Sequence, residues 1–215
     1  MVERETPFDR LADRFDAWYE SDRGSVPYQL ELDCLRPLWP AGEHPRLEVG
    51  VGTGRFASVL GAEVGIDPAG LALRRAVSRG VTTVRGVGEA LPFRAHAFAA
   101  VLMVGTLCFS DSPLALLAEA RRVLASGGTL LVGVVPLDSP WGQRYLEMGR
   151  AGDPFYARAR LATVAAVEEL VEAAGFGVEA VRSTLLHPPD EEQRDGVVAG
   201  LVGGAGFVAL RAAAR

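Results

Sequence analysis

The chain has 215 residues, 49% of them hydrophobic, a length that suffices for one α/β domain with an ample core. Its 22 basic residues stand against 27 acidic residues, and the resulting net charge of −5 argues against nucleic acid as a partner. Two cysteines without metal-ligand spacing, no signal-peptide pattern and no apolar run of about 20 residues lead us to expect a cytoplasmic protein with no membrane span.

The first predicted elements are two helices near the N-terminus. Thr6-Pro7 followed by Asp9 is typical of a helix start, with threonine as the cap and proline in the first turn. Four apolar residues then recur at helical spacing and predict one stripe: Phe8, Leu11, Phe15 and Trp18. A second helix is expected over residues 27–35. We interpret residues 1–40 as an N-terminal helical cap, or lid.

A glycine-rich turn follows the first predicted strand. The segment 46–56 runs from an apolar strand pattern through Gly50, Gly52 and Gly54 into a helix pattern. Glycine lets the chain turn sharply and brings backbone N–H groups close to a ligand, because no side chain fills the space. Glu48 adds a carboxylate at the end of the strand. The segment therefore predicts a site for a nucleotide-like cofactor.

The glycine turn alone fits two kinds of cofactor site. The spacing Gly52-x-Gly54-x-x-Ala57 also matches the fingerprint of dinucleotide-binding folds. Residues 62–67 read as a second strand that ends in Asp67, and both kinds of fold place such an acid on ribose hydroxyls. An NAD-dependent oxidoreductase therefore stays open as an alternative at this point.

The rest of the chain alternates predicted strands and helices. Gly127-Gly128 is expected to end a helix that begins at Ser112-Pro113, and Thr163 is expected to cap a later helix that stops at Gly175. The remaining predicted strands cover residues 81–84, 101–103, 129–135, 178–186 and 207–210. This alternation predicts an α/β fold, Rossmann-like and doubly wound, with a mostly parallel seven-stranded sheet and helices on both faces.

Two later segments, taken with the glycine turn, carry a family resemblance. Residues 89–93 read Glu-Ala-Leu-Pro-Phe, and residues 122–128 read Arg-Val-Leu-Ala-Ser-Gly-Gly. Together with Glu48 and its glycines they resemble the landmarks of class I S-adenosylmethionine-dependent methyltransferases, in the broad small-molecule group that includes quinone-biosynthesis enzymes. The resemblance covers residues 47–176 and implies S-adenosyl-L-methionine as cofactor. It also implies methyl transfer to a small-molecule acceptor, by in-line displacement and without a metal.

The resemblance implies roles for residues at the carboxyl ends of the strands, where ligands bind in such folds. The backbones of Gly50 and Gly52 would approach the methionine part of the cofactor, Asp67 the ribose, and Gly88-Glu89 the adenine. The other cofactor-binding candidates are Glu48, Gly54, Pro68, Val104 and, from the N-terminal cap, Phe15 and Tyr19.

A non-catalytic protein that binds S-adenosylmethionine or S-adenosylhomocysteine is a further alternative, since fold alone does not establish catalysis. Val87 stands where the family often has an aspartate that accepts from the adenine amino group, and valine cannot do so. Glu89, nearby backbone or water is expected to take that place. The NAD alternative is disfavoured by the segments that follow Asp67.

The acceptor site is expected in residues 137–162, which we interpret as a lid after the cofactor-binding core, residues 45–136, and before the C-terminal helix and strands, residues 163–215. Its aromatic and arginine side chains could exclude water and attract an anionic group, or could be ordinary packing. The substrate candidates are Trp141, Tyr145, Tyr156 and Arg158.

One histidine is a candidate general base. His187 follows the sixth predicted strand and should lie on the ligand side of the sheet. A base is needed only where the acceptor is protonated at the working pH. A solvent-exposed loop histidine is the alternative interpretation of the same residue.

Overall fold

Eight strands form one sheet in the computed structural model, which describes residues 6–193 and 196–215. The strands are β1 (Arg46–Val49), β2 (Val64–Asp67), β3 (Thr82–Arg85), β4 (Phe98–Val104), β5 (Leu124–Val134), β6 (Phe176–Thr184), β7 (Val198–Ala199) and β8 (Phe207–Ala214). Their order is β3-β2-β1-β4-β5-β8-β6-β7. The first five are parallel, whereas β8 runs antiparallel to both β5 and β6. The prediction of seven strands was therefore one short, because the two-residue β7 pairs with β6 at the edge.

Helices cover both faces of the sheet. They are α1 (Pro7–Arg10), α2 (Ala12–Trp18), α3 (Ser25–Leu35), α4 (Arg55–Leu60), α5 (Gly70–Ser78), α6 (Pro113–Val123), α7 (Pro140–Arg150) and α8 (Val164–Ala173). Three short 3-10 turns lie at Arg36–Leu38, Leu107–Phe109 and Tyr156–Arg158. In the described part of the chain, none of these helices has the length and apolar character needed to cross a bilayer.

Alternate residues of the central strands face two separate hydrophobic cores. In β4, Val101 and Met103 pack in the core shared with α6 and α8, whereas Ala100 and Leu102 pack in the core shared with α3, α4 and α5. A strand buried on both faces carries an almost continuous apolar run instead of an alternating one. This explains why the central strands could be predicted from the sequence.

The boundary between α6 and β5 lies earlier than predicted. Gly127-Gly128 does not end the helix; α6 ends at Val123, and β5 begins at Leu124, which pairs with Phe98. The pairing of β4 with β5 then shifts register between Phe98 and Ala100. The glycines accommodate this irregularity inside the strand, with Gly127 at φ +75°.

The predicted N-terminal helix is broken into α1 and α2 at Leu11, and Thr6 makes no side-chain capping bond. Tertiary contacts explain the difference. Asp9 of α1 is buried, and its carboxylate accepts a hydrogen bond of 2.9 Å from the backbone N–H of Leu71 in the first turn of α5. The chain must bend for α1 to reach this position. By contrast, Thr163 caps α8 as predicted, accepting from the backbone N–H of Ala166 at 3.2 Å.

Candidate functional site

A cavity of about 2060 Å³ lies at the carboxyl ends of the parallel strands β1, β2, β4 and β5. The loops that leave these strands form its floor, and the N-terminal helices, α7 and the Tyr156–Arg158 turn form its walls. Open α/β sheets bind ligands at this edge, because the loops there bring backbone groups and strand-end side chains together.

The glycine turn after β1 leaves open space on its cavity side. Gly52 has φ +50°, and a Cβ placed there would meet nothing within 4 Å, so the missing side chain leaves room for a ligand. Gly50 also lines the cavity. Gly54 does not; a Cβ at Gly54 would lie 2.8 Å from Ala76 of α5, so this glycine permits close helix packing instead. Its expected contact with the cofactor is therefore not supported by its position.

Two buried carboxyl groups flank the glycine turn. Glu48 is 2% exposed, and its Oε2 atom has no hydrogen-bond partner in residues 6–193 and 196–215. Asp67 accepts from the backbone N–H groups of Gly52 at 2.9 Å and Ala69 at 2.8 Å, which ties the turn to the end of β2. Burial raises the pKa of both carboxyl groups above their usual values. A positively charged ligand would favour their ionised forms.

The loops after β3 and β4 complete the floor around this turn. Gly88 lacks a side chain because a Cβ there would lie 2.8 Å from both Val49 and Leu116. Glu89 accepts a hydrogen bond from the hydroxyl of the buried Ser110. The other residues predicted at these strand ends line the cavity: Pro68 after β2, Gly88 and Glu89 after β3, and Val104 at the end of β4.

An aromatic cluster joins three segments of the chain at the cavity wall. It consists of Phe8 and Phe15 from the N-terminal helices, Phe109 from the loop after β4, and Phe155 after α7. The ring centroid of Phe8 lies 5.1 Å from those of Phe15 and Phe109 and 5.4 Å from that of Phe155. Phe15 also contacts Tyr19, and both of these predicted residues line the cavity.

The N-terminal helices are anchored by Asp16, a residue that the sequence analysis missed. Asp16 is 4% exposed and accepts hydrogen bonds from Thr53 and Arg55 at 2.7 Å and from Arg79 at 2.8 Å. Burial alone would raise the pKa of Asp16, but the bonds from Arg55, Arg79 and Thr53 outweigh it and hold the pKa far below its usual value. No local pattern could reveal this network, because its partners lie 37 to 63 residues away.

All four predicted substrate residues line the cavity. The rings of Tyr145 and Tyr156 stack at 4.2 Å with an angle of 11° between them. Trp141 is buried, and its indole N–H donates to the backbone carbonyl of His187 at 2.8 Å. Arg158 is exposed and therefore lies at the mouth of the cavity rather than deep inside it.

Glu31 of α3 is a second residue that the sequence analysis missed. It lines the cavity and is 9% exposed, and burial raises its pKa to about 8. A signal was present in the sequence. Glu31 lies four residues from both Pro27 and Leu35, so it occupies the same helix face as these buried residues. An acid on the buried face of a helix marks either a paired charge or a binding site.

His187 lies outside the cavity lining, next to residues that belong to it. The chain turns at Leu185, with φ +56°, directly after β6. The His187 imidazole then lies beside the carboxylate of Glu191, with 3.9 Å between Nδ1 and Oε2. His187 is absent from the cavity lining, and so is every other histidine of the described chain. Its backbone carbonyl accepts from Trp141, and its role as a general base stays a prediction.

Residues 47–132 match the family model described as a methyltransferase domain. An uncharacterized protein of Mycobacterium tuberculosis is 46% identical over 205 residues, which span 94% of this chain and 72% of that protein. An uncharacterized protein of Methanocaldococcus jannaschii is 32% identical over 205 residues, which span 95% of this chain and 97% of that protein.

A crystal structure from Thermotoga maritima is similar over nearly the whole chain. It is described as a SAM-dependent methyltransferase and possible histamine N-methyltransferase. The two structures superpose with a TM-score of 0.89 at 34% sequence identity, covering 97% of this chain and 98% of the other. The similarity therefore extends beyond residues 47–132 to most of the N-terminal helices and of the segment that follows β5.

Proposed function

We propose that this chain, which belongs to the class I S-adenosylmethionine-dependent methyltransferases, methylates a small molecule held in the cavity at the edge of its sheet. The size of the cavity supports this most directly. Sites for one small ligand measure about 300–1,000 Å³, and this cavity measures about 2060 Å³. It therefore has room for S-adenosyl-L-methionine and a second molecule beside it.

The residues around the glycine turn suit this cofactor. S-adenosyl-L-methionine carries a sulfonium and an ammonium group, and the unpartnered, buried Oε2 of Glu48 offers an acceptor for a cationic group. The open space at Gly52 admits the ligand close to the backbone. We assign Asp67 to the ribose hydroxyls, because its bonds to Gly52 and Ala69 fix its carboxylate at the cavity wall.

The protein contributes to the reaction by positioning the cofactor and the acceptor and by excluding water. The cofactor supplies a methyl group on a sulfonium, which is an excellent leaving group, so we propose an in-line transfer without a metal. The aromatic cluster of Phe8, Phe15, Phe109 and Phe155 shields the cavity from solvent. Tyr19 is assigned with Phe15 to the cofactor side of this wall.

We propose that different segments of the chain bind the cofactor and the acceptor. Residues 45–136 would hold the cofactor through the loops after the parallel strands. The N-terminal helices would cover it, and residues 137–162 would cover the acceptor with Trp141, Tyr145 and Tyr156, with Arg158 at the mouth. Both covers meet at the Phe8–Phe155 contact, so the two ligands would be enclosed together.

Isothermal calorimetry with S-adenosylmethionine, S-adenosylhomocysteine and NAD tests this function. We expect the wild type to bind both sulfur ligands and Gly52→Val to bind neither, because the valine would occupy the ligand's space. Gly80→Val is the matched control, since Gly80 also has a positive φ and open space but lies outside the cavity lining. Binding of NAD alone, or of no ligand, would overturn the proposal. Cofactor binding without turnover on any acceptor would identify a non-catalytic binder instead.

A further inference from the structure

Glu31 is a carboxyl group deep in the cavity without a compensating charge. It is 9% exposed, and its side chain has no hydrogen bond or ion pair with the residues that the structure describes. The rise of its pKa to about 8 comes from burial alone, so no described basic side chain offsets it. Burying an unpaired carboxylate costs several kcal/mol, and such groups are retained where they meet a partner. The group that would pair with the Glu31 carboxylate is a cation, and the described chain does not supply one.

Five side chains that the charge of Glu31 reaches stay uncharged near neutral pH. Its negative charge adds to the effect of burial on four phenols and one thiol, and all five have pKa values above their usual ones. Each is therefore neutral between pH 5 and pH 9. These groups come from the residue after α2, from α3, from α7 and from the turn after α7: Tyr19, Tyr28, Cys34, Tyr145 and Tyr156.

The surroundings of Glu31 favour a positive ligand over a negative one. The stacked pair of Tyr145 and Tyr156 supplies aromatic rings, and aromatic faces attract cations. The rings of Tyr19 and Tyr28 already bind a cation in this way, since the Arg55 guanidinium lies 5.2 Å and 5.9 Å from their centroids. The described cavity lining includes 11 acidic residues and 6 arginines. An anionic acceptor drawn in by an arginine at the mouth would meet an uncompensated acid inside.

Glu31 lines the same cavity as the proposed cofactor site. Burial is the main cause that raises the pKa of Tyr28, and the charges of Glu48 and Glu31 both add to it. The Tyr28 hydroxyl is held by its bond to the backbone carbonyl of Arg55 at 3.0 Å. Because both acids line one cavity, a ligand that pairs with Glu31 would share that cavity with the ligand that pairs with Glu48.

From this geometry we infer that the methyl acceptor is an organic amine, which enters as an ammonium ion and pairs with the Glu31 carboxylate among these tyrosine rings. The inference rests on the proposed methyl transfer. Glu31 then takes one proton from the ammonium. The freed nitrogen lone pair forms the bond to the methyl carbon, while the carbon–sulfur bond breaks and its electron pair stays on sulfur. Glu31 is thus both the recognition group and the general base.

Calorimetry with small amines and their neutral counterparts tests the inference. The probes are phenethylamine, tryptamine and cyclohexylamine, each paired with the alcohol that replaces its amino group by hydroxyl, together with phenylacetate. They are titrated at pH 7 into protein saturated with S-adenosylhomocysteine, in two buffers that differ in ionisation enthalpy. The variants are Glu31→Gln and, as a matched control on the exposed face of α3, Asp33→Asn, whose carboxylate pairs with Arg36.

We expect at least one amine to bind wild type tenfold or more tightly than its alcohol. Because free Glu31 is mostly protonated at pH 7 and ionised in the complex, binding should release about nine-tenths of a proton. Amine affinity should also rise with pH up to about 8. Glu31→Gln should lose tenfold or more in amine affinity and the proton release, yet bind S-adenosylhomocysteine as wild type does. Asp33→Asn should match wild type in every measurement.

Three results would overturn the inference. They are equal amine affinity in wild type and Glu31→Gln, no amine that binds better than its alcohol, and tighter binding of phenylacetate than of the amines. Failure of the wild type to bind S-adenosylhomocysteine would instead contradict the proposed function. The two failures are therefore distinguishable in one set of titrations.

Discussion

At the scale of single residues, the cavity is defined by buried carboxyl groups that lack positive partners. Glu31 and Glu48 are 9% and 2% exposed, and burial raises the pKa of each. Their placement lowers the stability of the free protein, because the unfolded chain ionises these groups in water and the folded chain resists it. Such a cost is common at binding sites, where ligand contacts compensate for it.

Glu31→Gln should stabilise the free protein in a pH-dependent manner. The folded pKa of Glu31 is raised to about 8, so ionisation of the unfolded state removes stability as pH rises from about 4.5 to 8. Glutamine does not titrate, and we expect it to add roughly 3 kcal/mol at pH 7 and almost nothing near pH 4. Urea unfolding at both pH values measures this, with Asp33→Asn as control. A gain of equal size at both pH values would contradict it.

The residues of the glycine turn could be predicted from the sequence, whereas Asp16 could not, and for Glu31 only its place on the buried face of α3 could. Glu48, Gly52 and Asp67 follow directly from local pattern, because each lies in the last two residues of a strand or in the glycine turn. The environment of Asp16 depends on Arg79, 63 residues later. The surroundings of Glu31 likewise come from segments far apart in the chain, which strand and helix periodicity does not bring together.

At the scale of elements, α2 is held by charge as well as by packing. Arg55 donates through Nη2 to the backbone carbonyl of Asp16 and to Glu20, in addition to its bond with the Asp16 carboxylate. These bonds fix the N-terminal helices against the glycine turn. The part of the cavity wall that carries Phe15 and Tyr19 is therefore held in place, although α1 and α2 are only 4 and 7 residues long.

Asp16→Asn should destabilise the protein by about 3 kcal/mol at pH 7, since it removes the carboxylate that pairs with Arg79 and leaves the largely buried Arg55 with only the exposed Glu20. The folded pKa of Asp16 lies far below its usual value, so its contribution is present above pH 4 and declines as pH falls further. Urea unfolding at pH 7 and pH 3 measures the difference. Asp13→Asn is the control: Asp13 also pairs with an arginine, Arg75, but is 85% exposed, and little change is expected. Equal effects of the two variants would contradict the role of Asp16.

Element types could be predicted more reliably than element boundaries. Thr163 caps α8 as expected, because its bond to Ala166 is local. The predicted α6 end and the continuous N-terminal helix were wrong, since pairing of Leu124 with Phe98 and the Asp9 bond to Leu71 decide those boundaries. Both errors arise where a distant segment competes with the local signal.

At the scale of the whole molecule, the cofactor should link the loops of four strands with the N-terminal helices. We expect S-adenosylhomocysteine at 100 times its Kd to stabilise the fold by about 2.7 kcal/mol. For a chain of this length that is a rise in Tm of roughly 5–10 °C. Differential scanning calorimetry measures it, and Gly52→Val should show no rise while Gly80→Val keeps it. The same rise in Gly52→Val would place the ligand elsewhere.

The order of the strands could not be predicted from the sequence, although the predicted number of seven is close to the eight observed. Periodicity marks each strand by itself, and it predicts the parallel half of the sheet well. It does not show that β8 lies between β5 and β6 or that it runs antiparallel to both. That arrangement depends on how the connections cross the sheet.

The central position of β8 has a consequence for synthesis on the ribosome. β6 joins β5 and the parallel strands only through β8, which is made later in the chain. At about 5–20 residues per second, some 30 residues must still be added, so β6 waits roughly 2 to 6 s without that neighbour. An unpaired strand can recruit other nascent chains. The charged side chains of Glu179 and Arg182 in β6 oppose pairing of this strand with other nascent chains.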